Sequence, residues 1–125
     1  TWYQDWSLKA ANYNLIYHYV ELDSQGDVQM VSAAKGNILV EGQTVRILDP
    51  STVQFFPNGS VAQLAWGSSE ALIIWGQKIF PKYGALLKLH ENSSLSSFVS
   101  SIDGQLKLPN GSIKTFKKGD LVELP

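Results

Sequence analysis

Along most of this chain apolar and polar residues alternate one by one. Val20 and Leu22 flank Glu21, Val45 and Ile47 flank Arg46, and Leu87 and Leu89 flank Lys88. A period of two puts successive side chains on opposite faces. Each such run therefore predicts a short antiparallel strand with one face buried and one wet. Turn-forming clusters separate the runs: Asp23-Ser24-Gln25-Gly26, Ala34-Lys35-Gly36-Asn37, Asp49-Pro50-Ser51-Thr52, Pro57-Asn58-Gly59 and Pro109-Asn110-Gly111. Asn58-Gly59 and Asn110-Gly111 predict two-residue hairpin turns of type I′, in which both central residues take positive φ.

The runs themselves recur. An apolar-x-apolar start falls at Val20, Val53, Leu87 and Leu121, at nearly constant intervals. Gly26-x-Val28-x-x-Val31 returns as Gly59-x-Val61-x-x-Leu64 and again as Ser93-x-Leu95-x-x-Phe98. Ile38-x-Val40-x-Gly42-Gln43-x-Val45 returns one interval later as Leu72-x-Ile74-x-Gly76-Gln77-x-Ile79. Recurrence in one register sets architecture before it sets chemistry. It predicts three pseudo-repeats, over residues 20–52, 53–86 and 87–120, with a fourth begun at 121–125. Val28, Val61 and Leu95 are expected to share one inward position, and Val31, Leu64 and Phe98 another.

Residues 1–19 read in two ways. Trp2, Trp6 and Ala10 line one face if the segment to Asn14 is a short helix; an extended arm would instead lead into a long strand from Tyr13 to Leu22. The whole is expected to be a single all-β domain of about twelve short antiparallel strands. Such strands curl into a roll or barrel, with a threefold β-trefoil as the alternative. Trefoil units usually run longer, and a strand opening a fourth unit at Leu121 suits an open-ended array. Its exposed edges then need protection or a partner.

Bulk properties narrow the function classes. At 125 residues, 44% hydrophobic and 17% charged, the chain has the make-up of one globular domain. A net charge of −1 gives no long-range attraction to nucleic acid or anionic lipid. Lys114, Lys117 and Lys118 cluster, but Asp120 and Glu123 follow, as in a solvated turn. No cysteine is present, which removes disulfides and thiolate metal sites. The longest apolar run, Ala71-Leu72-Ile73-Ile74-Trp75, is strand-sized and not the ~20 residues of a membrane span. A start at Thr1 reads as a processed or trimmed form, so any leader or anchor would lie upstream. Asn58-Gly59-Ser60, Asn92-Ser93-Ser94 and Asn110-Gly111-Ser112 fit the glycosylation pattern, yet turn chemistry accounts for them better.

The run Val53-Gln54-Phe55-Phe56-Pro57-Asn58-Gly59-Ser60-Val61, the Gly76-Gln77 strand and Phe116-Lys117-Lys118-Gly119-Asp120-Leu121 together carry a family likeness. Over residues 38–125 the chain resembles the Asn-Gly hairpin-repeat proteins of bacterial envelopes, tandem β-hairpin arrays loosely similar to MORN repeats. MORN repeats proper have a shorter period and a Tyr-Gly core that is absent here. The resemblance implies a hairpin array at an envelope or in a secreted protein, and no catalytic residue.

Catalytic signatures are missing: there is no Gly-x-Ser-x-Gly elbow, phosphate loop, Gly-x-Gly-x-x-Gly cradle or His-Glu-x-x-His pair. A zinc site would need His18 and His90 to meet and recruit carboxylates. Glu21 with Asp23 is the best-spaced carboxylate pair, but a solvated strand face explains it, and His90-Glu91 reads the same way. Aromatics are more suggestive. Trp66 precedes Gly67-Ser68-Ser69, and Trp75 precedes Gly76-Gln77 with Tyr83 close behind. Such rings stack on sugars or anchor a protein surface, though in thin β proteins they more often plug the core. The expected function is a non-catalytic structural or protein-interaction module. It needs no cofactor or metal, binds no nucleic acid, and meets a protein partner through an edge strand. The alternative is a small-ligand or carbohydrate-binding domain using Trp66, Trp75 and Tyr83.

Overall fold

The computed structural model describes residues 2–10 and 13–125, with side chains from residue 15 onward. Among the described residues thirteen strands follow one another: β1 (Trp2–Ala10), β2 (Tyr13–Leu22), β3 (Val28–Val40), β4 (Gln43–Arg46), β5 (Ser51–Phe55), β6 (Val61–Ala65), β7 (Leu72–Ile74), β8 (Gln77–Ile79), β9 (Leu86–Leu89), β10 (Leu95–Val99), β11 (Gly104–Lys107), β12 (Ile113–Phe116) and β13 (Leu121–Glu123). Every pairing is antiparallel, as the period of two requires. Of the two readings of the N-terminal segment, the helix is corrected. Residues 2–10 are a strand, their backbone paired to β2 from Trp2↔Tyr19 to Ala10↔Tyr13.

The main sheet runs β1-β2-β3-β5-β6-β9-β10-β13, with β4 attached to β3; β7-β8 and β11-β12 are separate hairpins. β1 and β13 end this path and do not pair, so neither the barrel nor the trefoil forms. Closure needs the two ends of the sheet to exchange backbone bonds, and here they lie at opposite edges. The sheet nonetheless curls. β3 leaves β5 after Ala34, passes through the positive φ of Gly36 (133°), and continues as a hairpin with β4. The tip of that hairpin reaches across to the β9–β10 turn, where the Glu41 N–H donates to Ser93 O at 3.4 Å. Hairpins β3–β4, β7–β8 and β11–β12 contribute Val45, Ile74 and Phe116 to the same core as the long sheet. Val31, Ile38, Val53, Leu64, Trp66, Leu72, Leu87, Phe98 and Leu106, all buried, belong to one core. Phe98 meets Phe116 edge-to-face, with ring centroids 5.9 Å apart.

Apolar residues three apart cannot share a face in a regular strand, because side chains alternate. A β-bulge resolves this in each of the three places. The partner register jumps from Met30 to Val28 opposite Glu21 and Leu22, and from Gln63 to Val61 opposite Gln54 and Phe55. It jumps again from Ser97 to Leu95 opposite Lys88 and Leu89. The extra residues are Gln29, Ala62 and Ser96, and each turns the strand so that both flanking apolar residues face inward. Val31, Leu64 and Phe98 are fully buried, as are Val61 and Leu95, while Val28 is partly buried against the same core.

The turns differ from expectation in an instructive way. Positive φ falls on Gly59 (90°) and Gly111 (91°) but not on the asparagines before them. Phe56 N–H donates to Ser60 O at 2.8 Å and Gly59 N–H to Phe56 O at 2.9 Å, which closes a three-residue Pro-Asn-Gly loop. Pro57 has no N–H with which to close a two-residue loop, and its fixed φ suits the first central position of a type I turn. Pro109-Asn110-Gly111 repeats this geometry. At all three Asn-x-Ser sites the asparagine Oδ1 accepts both the N–H and the hydroxyl of the serine, at 2.6–3.0 Å. The two-residue turns with two positive φ values are instead Glu41-Gly42 (53°, 75°) and Trp75-Gly76 (50°, 75°).

The glutamine after each of these turns ties one hairpin to the next. Gln43 receives the Ile73 N–H at 3.1 Å and donates to Ile73 O at 2.5 Å. Gln77 does the same to Lys107, at 2.8 Å in both directions. The side-chain amide thereby copies a strand pairing that the backbone does not supply. Gln43→Ala and Gln77→Ala are each expected to destabilise by about 1 kcal/mol, read from urea midpoints. Midpoints unchanged in both would show that water replaces these bonds without loss. On the third hairpin Ser112 follows the turn, and its hydroxyl is held by Asn110.

Candidate functional site

The structure separates the three expected site aromatics. Trp66 is core, 1% exposed, so its expected role as an exposed binding residue is corrected. The chain on either side is locked: Trp66 N–H donates to Ala85 O at 2.8 Å, and Gly67 N–H to Arg46 O at 3.0 Å. Gly67-Ser68-Ser69 reads as a loop, yet a Cβ on Gly67 would overlap the backbone of Ile47 and Leu48. That close crossing seats the indole inside. Tyr83 is 65% exposed, beside Lys82, whose N–H donates to Val99 O at the far end of β10. Trp75 lies near Leu95 at the other end, roughly 13 Å away at about 3.3 Å per residue of strand. Tyr83 does not line the groove beside Trp75.

What Trp75 does join is a groove of ≈ 360 Å³ where the hairpin tips meet the strand ends. Glu41 comes from the first tip, Trp75 from the second, and Leu108, Pro109 and Asn110 from the third; Ser94, Leu95 and Pro125 complete it. Glu41 is anchored, its Oε2 accepting the Leu95 N–H at 2.6 Å. Sequence reasoning misses Glu41 and Asn110. For Glu41 the repeat holds a signal: it stands one repeat before Trp75, at the first central position of the same turn.

A second feature is the free edge of β13. Leu124 N–H donates to Ser96 O and Ser100 N–H to Asp120 O, and antiparallel bonds alternate along a strand. The N–H and C=O groups of Leu121 and Glu123 therefore point away from β10. The Leu121 side chain is 61% exposed, and Ile113 on β12 is also exposed.

The remaining candidates have local roles. Asp23 Oδ1 braces the β2–β3 turn, accepting from the N–H groups of Gln25 and Asp27 at 2.9 and 3.0 Å. Asp120 and Asp103 accept from the N–H groups of Lys117 and Lys118, so these two lysines belong to a turn, while Lys114 lies on β12. His90 opens the β9–β10 turn, with its Nε2 buried and lacking a hydrogen-bond partner. Among the described residues no three His, Cys, Asp or Glu side chains gather as metal ligands, and no helix is long and apolar enough to cross a membrane. Arg46 and Asn37 line two polar clefts, of ≈ 320 and ≈ 290 Å³. Comparison with family models, characterised proteins and solved structures yields no match.

Proposed function

We propose that this domain is a non-catalytic interaction module that takes up an extended strand of a partner protein along β13. The observation that carries the reading is the outward-pointing backbone of Leu121 and Glu123 beside the exposed Leu121 side chain. Main-chain groups at a free edge supply affinity for an added strand, and alternate side chains supply selectivity. The chain's own pattern states what fits. In the pairing register Val122 of β13 stands where Leu87 of β9 and Val53 of β5 stand, opposite Phe98, Leu64 and Val31, and on their other sides β9 pairs with β10 and β5 with β6. An incoming strand therefore carries the apolar-x-x-apolar signature of Val61 and Leu64, or of Leu95 and Phe98. The likeness to hairpin arrays of bacterial envelopes fits a scaffolding role of this kind in an envelope or secreted protein.

The test uses a fluorescently labelled peptide copying residues 91–101 and reads anisotropy. Saturable binding is expected, and Glu123→Pro should weaken it about tenfold or more. Proline removes the outward N–H, which the fold does not use, and proline is tolerated on an edge strand in that orientation. No binding, or equal binding by the folded Glu123→Pro variant, would count against edge pairing.

A further inference from the structure

We propose that the hairpin-tip groove is a separate site for a neutral hexopyranose oligosaccharide, with Trp75 as its stacking platform and Glu41 and Asn110 as its polar rim. Neither the turn nor the core explains Trp75. Its φ of 50° lies in the left-handed region, where a bulky L residue is disfavoured and Asn, Asp or Gly would hold the same type I′ turn with less strain. Nor does burial account for it, since the side chain remains 39% exposed. A strained backbone that displays a large aromatic at a groove is the kind of outlier from which function is inferred.

The polar groups around the indole are oriented by the fold and only partly spent. Asn110 Oδ1 accepts the Ser112 N–H at 2.9 Å and its hydroxyl at 2.7 Å. That fixes the amide and leaves its NH₂ as the unspent donor. Glu41 Oε2 takes the Leu95 N–H, which leaves Oε1 as an unspent acceptor. Leu108, Pro109 and Pro125 complete an apolar wall. A pyranose matches this set: its hydroxyls both donate and accept around the rim, and its C–H face lies against an aromatic ring. Glu41 is the sole ionisable side chain lining the groove among the described residues, which disfavours an anionic ligand. The volume of ≈ 360 Å³ suits one or two sugar rings and lies within the ~300–1,000 Å³ typical of small-ligand sites. The groove sits at the strand ends and β13 pairing at the sheet edge, so either can fail without the other.

The experiment titrates the intact chain with cellotetraose, maltotetraose and chitotetraose, and reads tryptophan fluorescence. At least one should give a saturable shift with half-saturation at about 1 mM or below. Trp75→Asn should weaken it about tenfold or more with no loss of thermal midpoint, because asparagine accepts the left-handed turn. Asn110→Asp keeps the acceptor for Ser112, removes the amide donors, and should weaken binding similarly. No saturable shift with any of the three sugars overturns the proposal. So does unaltered binding in both variants, or equal affinity for tetraglucuronate (cello-oligouronate), which keeps the gluco rings and replaces each C6 hydroxymethyl by a carboxylate.

Discussion

Trp66→Ala is expected to destabilise the domain by about 3–5 kcal/mol, the range for removing a fully buried large aromatic. The indole is 1% exposed and belongs to the core shared by sheet and hairpins. Its backbone is bonded on both sides, with Gly84 N–H donating to Trp66 O at 2.7 Å and Trp66 itself bridged to Ile47. The side chain thus packs where β6 crosses the end of the first hairpin. Truncation leaves a cavity that this crossing cannot collapse to fill. Urea denaturation measures the loss. A cost below about 1 kcal/mol, the level of an exposed site, would place the indole at the surface.

Gly67→Ala, one residue on, should cost about 3 kcal/mol or more, or prevent folding. The reason is steric and not conformational. The added methyl would overlap the Ile47 carbonyl group and the Leu48 nitrogen, which are backbone and held by Leu48 N–H donating to Ala65 O at 2.9 Å. Gly104 is the control. A Cβ there meets only the Phe116 ring, at 3.1 Å, and a ring can shift by a few tenths of an ångström. Gly104→Ala should therefore be milder than Gly67→Ala by urea midpoint. Equal effects would mean that the Gly67 crossing is looser than its geometry shows.

Strand content is legible in the sequence because alternation is a local property, and it holds at Val45, Ile47, Leu87 and Leu89, all buried. The inward positions are legible too, for a reason alternation does not supply. Residues three apart share a face through bulges at Gln29, Ala62 and Ser96, and nothing in those three side chains marks a bulge. Turn type is misplaced when the dipeptide Asn-Gly is weighed without its preceding proline. Sheet closure cannot be read from local pattern at all, since it depends on whether the first and last strands meet. Among the expected site residues, Trp75 is singled out by its place before Gly76-Gln77, and the structure leaves it exposed at a groove. Tyr83 is exposed as expected, while the burial of Trp66 depends on a chain crossing that the local sequence does not show. Asn110 enters the groove only once the third hairpin tip is placed beside the second.

Hydrogen exchange at single amides of β13 tests the edge-pairing role most directly. In the free domain Val122 and Leu124 amides, which face β10, should be protected while those of Leu121 and Glu123 exchange rapidly. Saturating peptide of residues 91–101 should slow Leu121 and Glu123 about tenfold or more and leave the tip-groove amides of Ser94 and Leu95 unchanged. Leu121 and Glu123 protected already in the free domain, or unprotected at saturating peptide, would contradict a β13 edge that receives a partner strand.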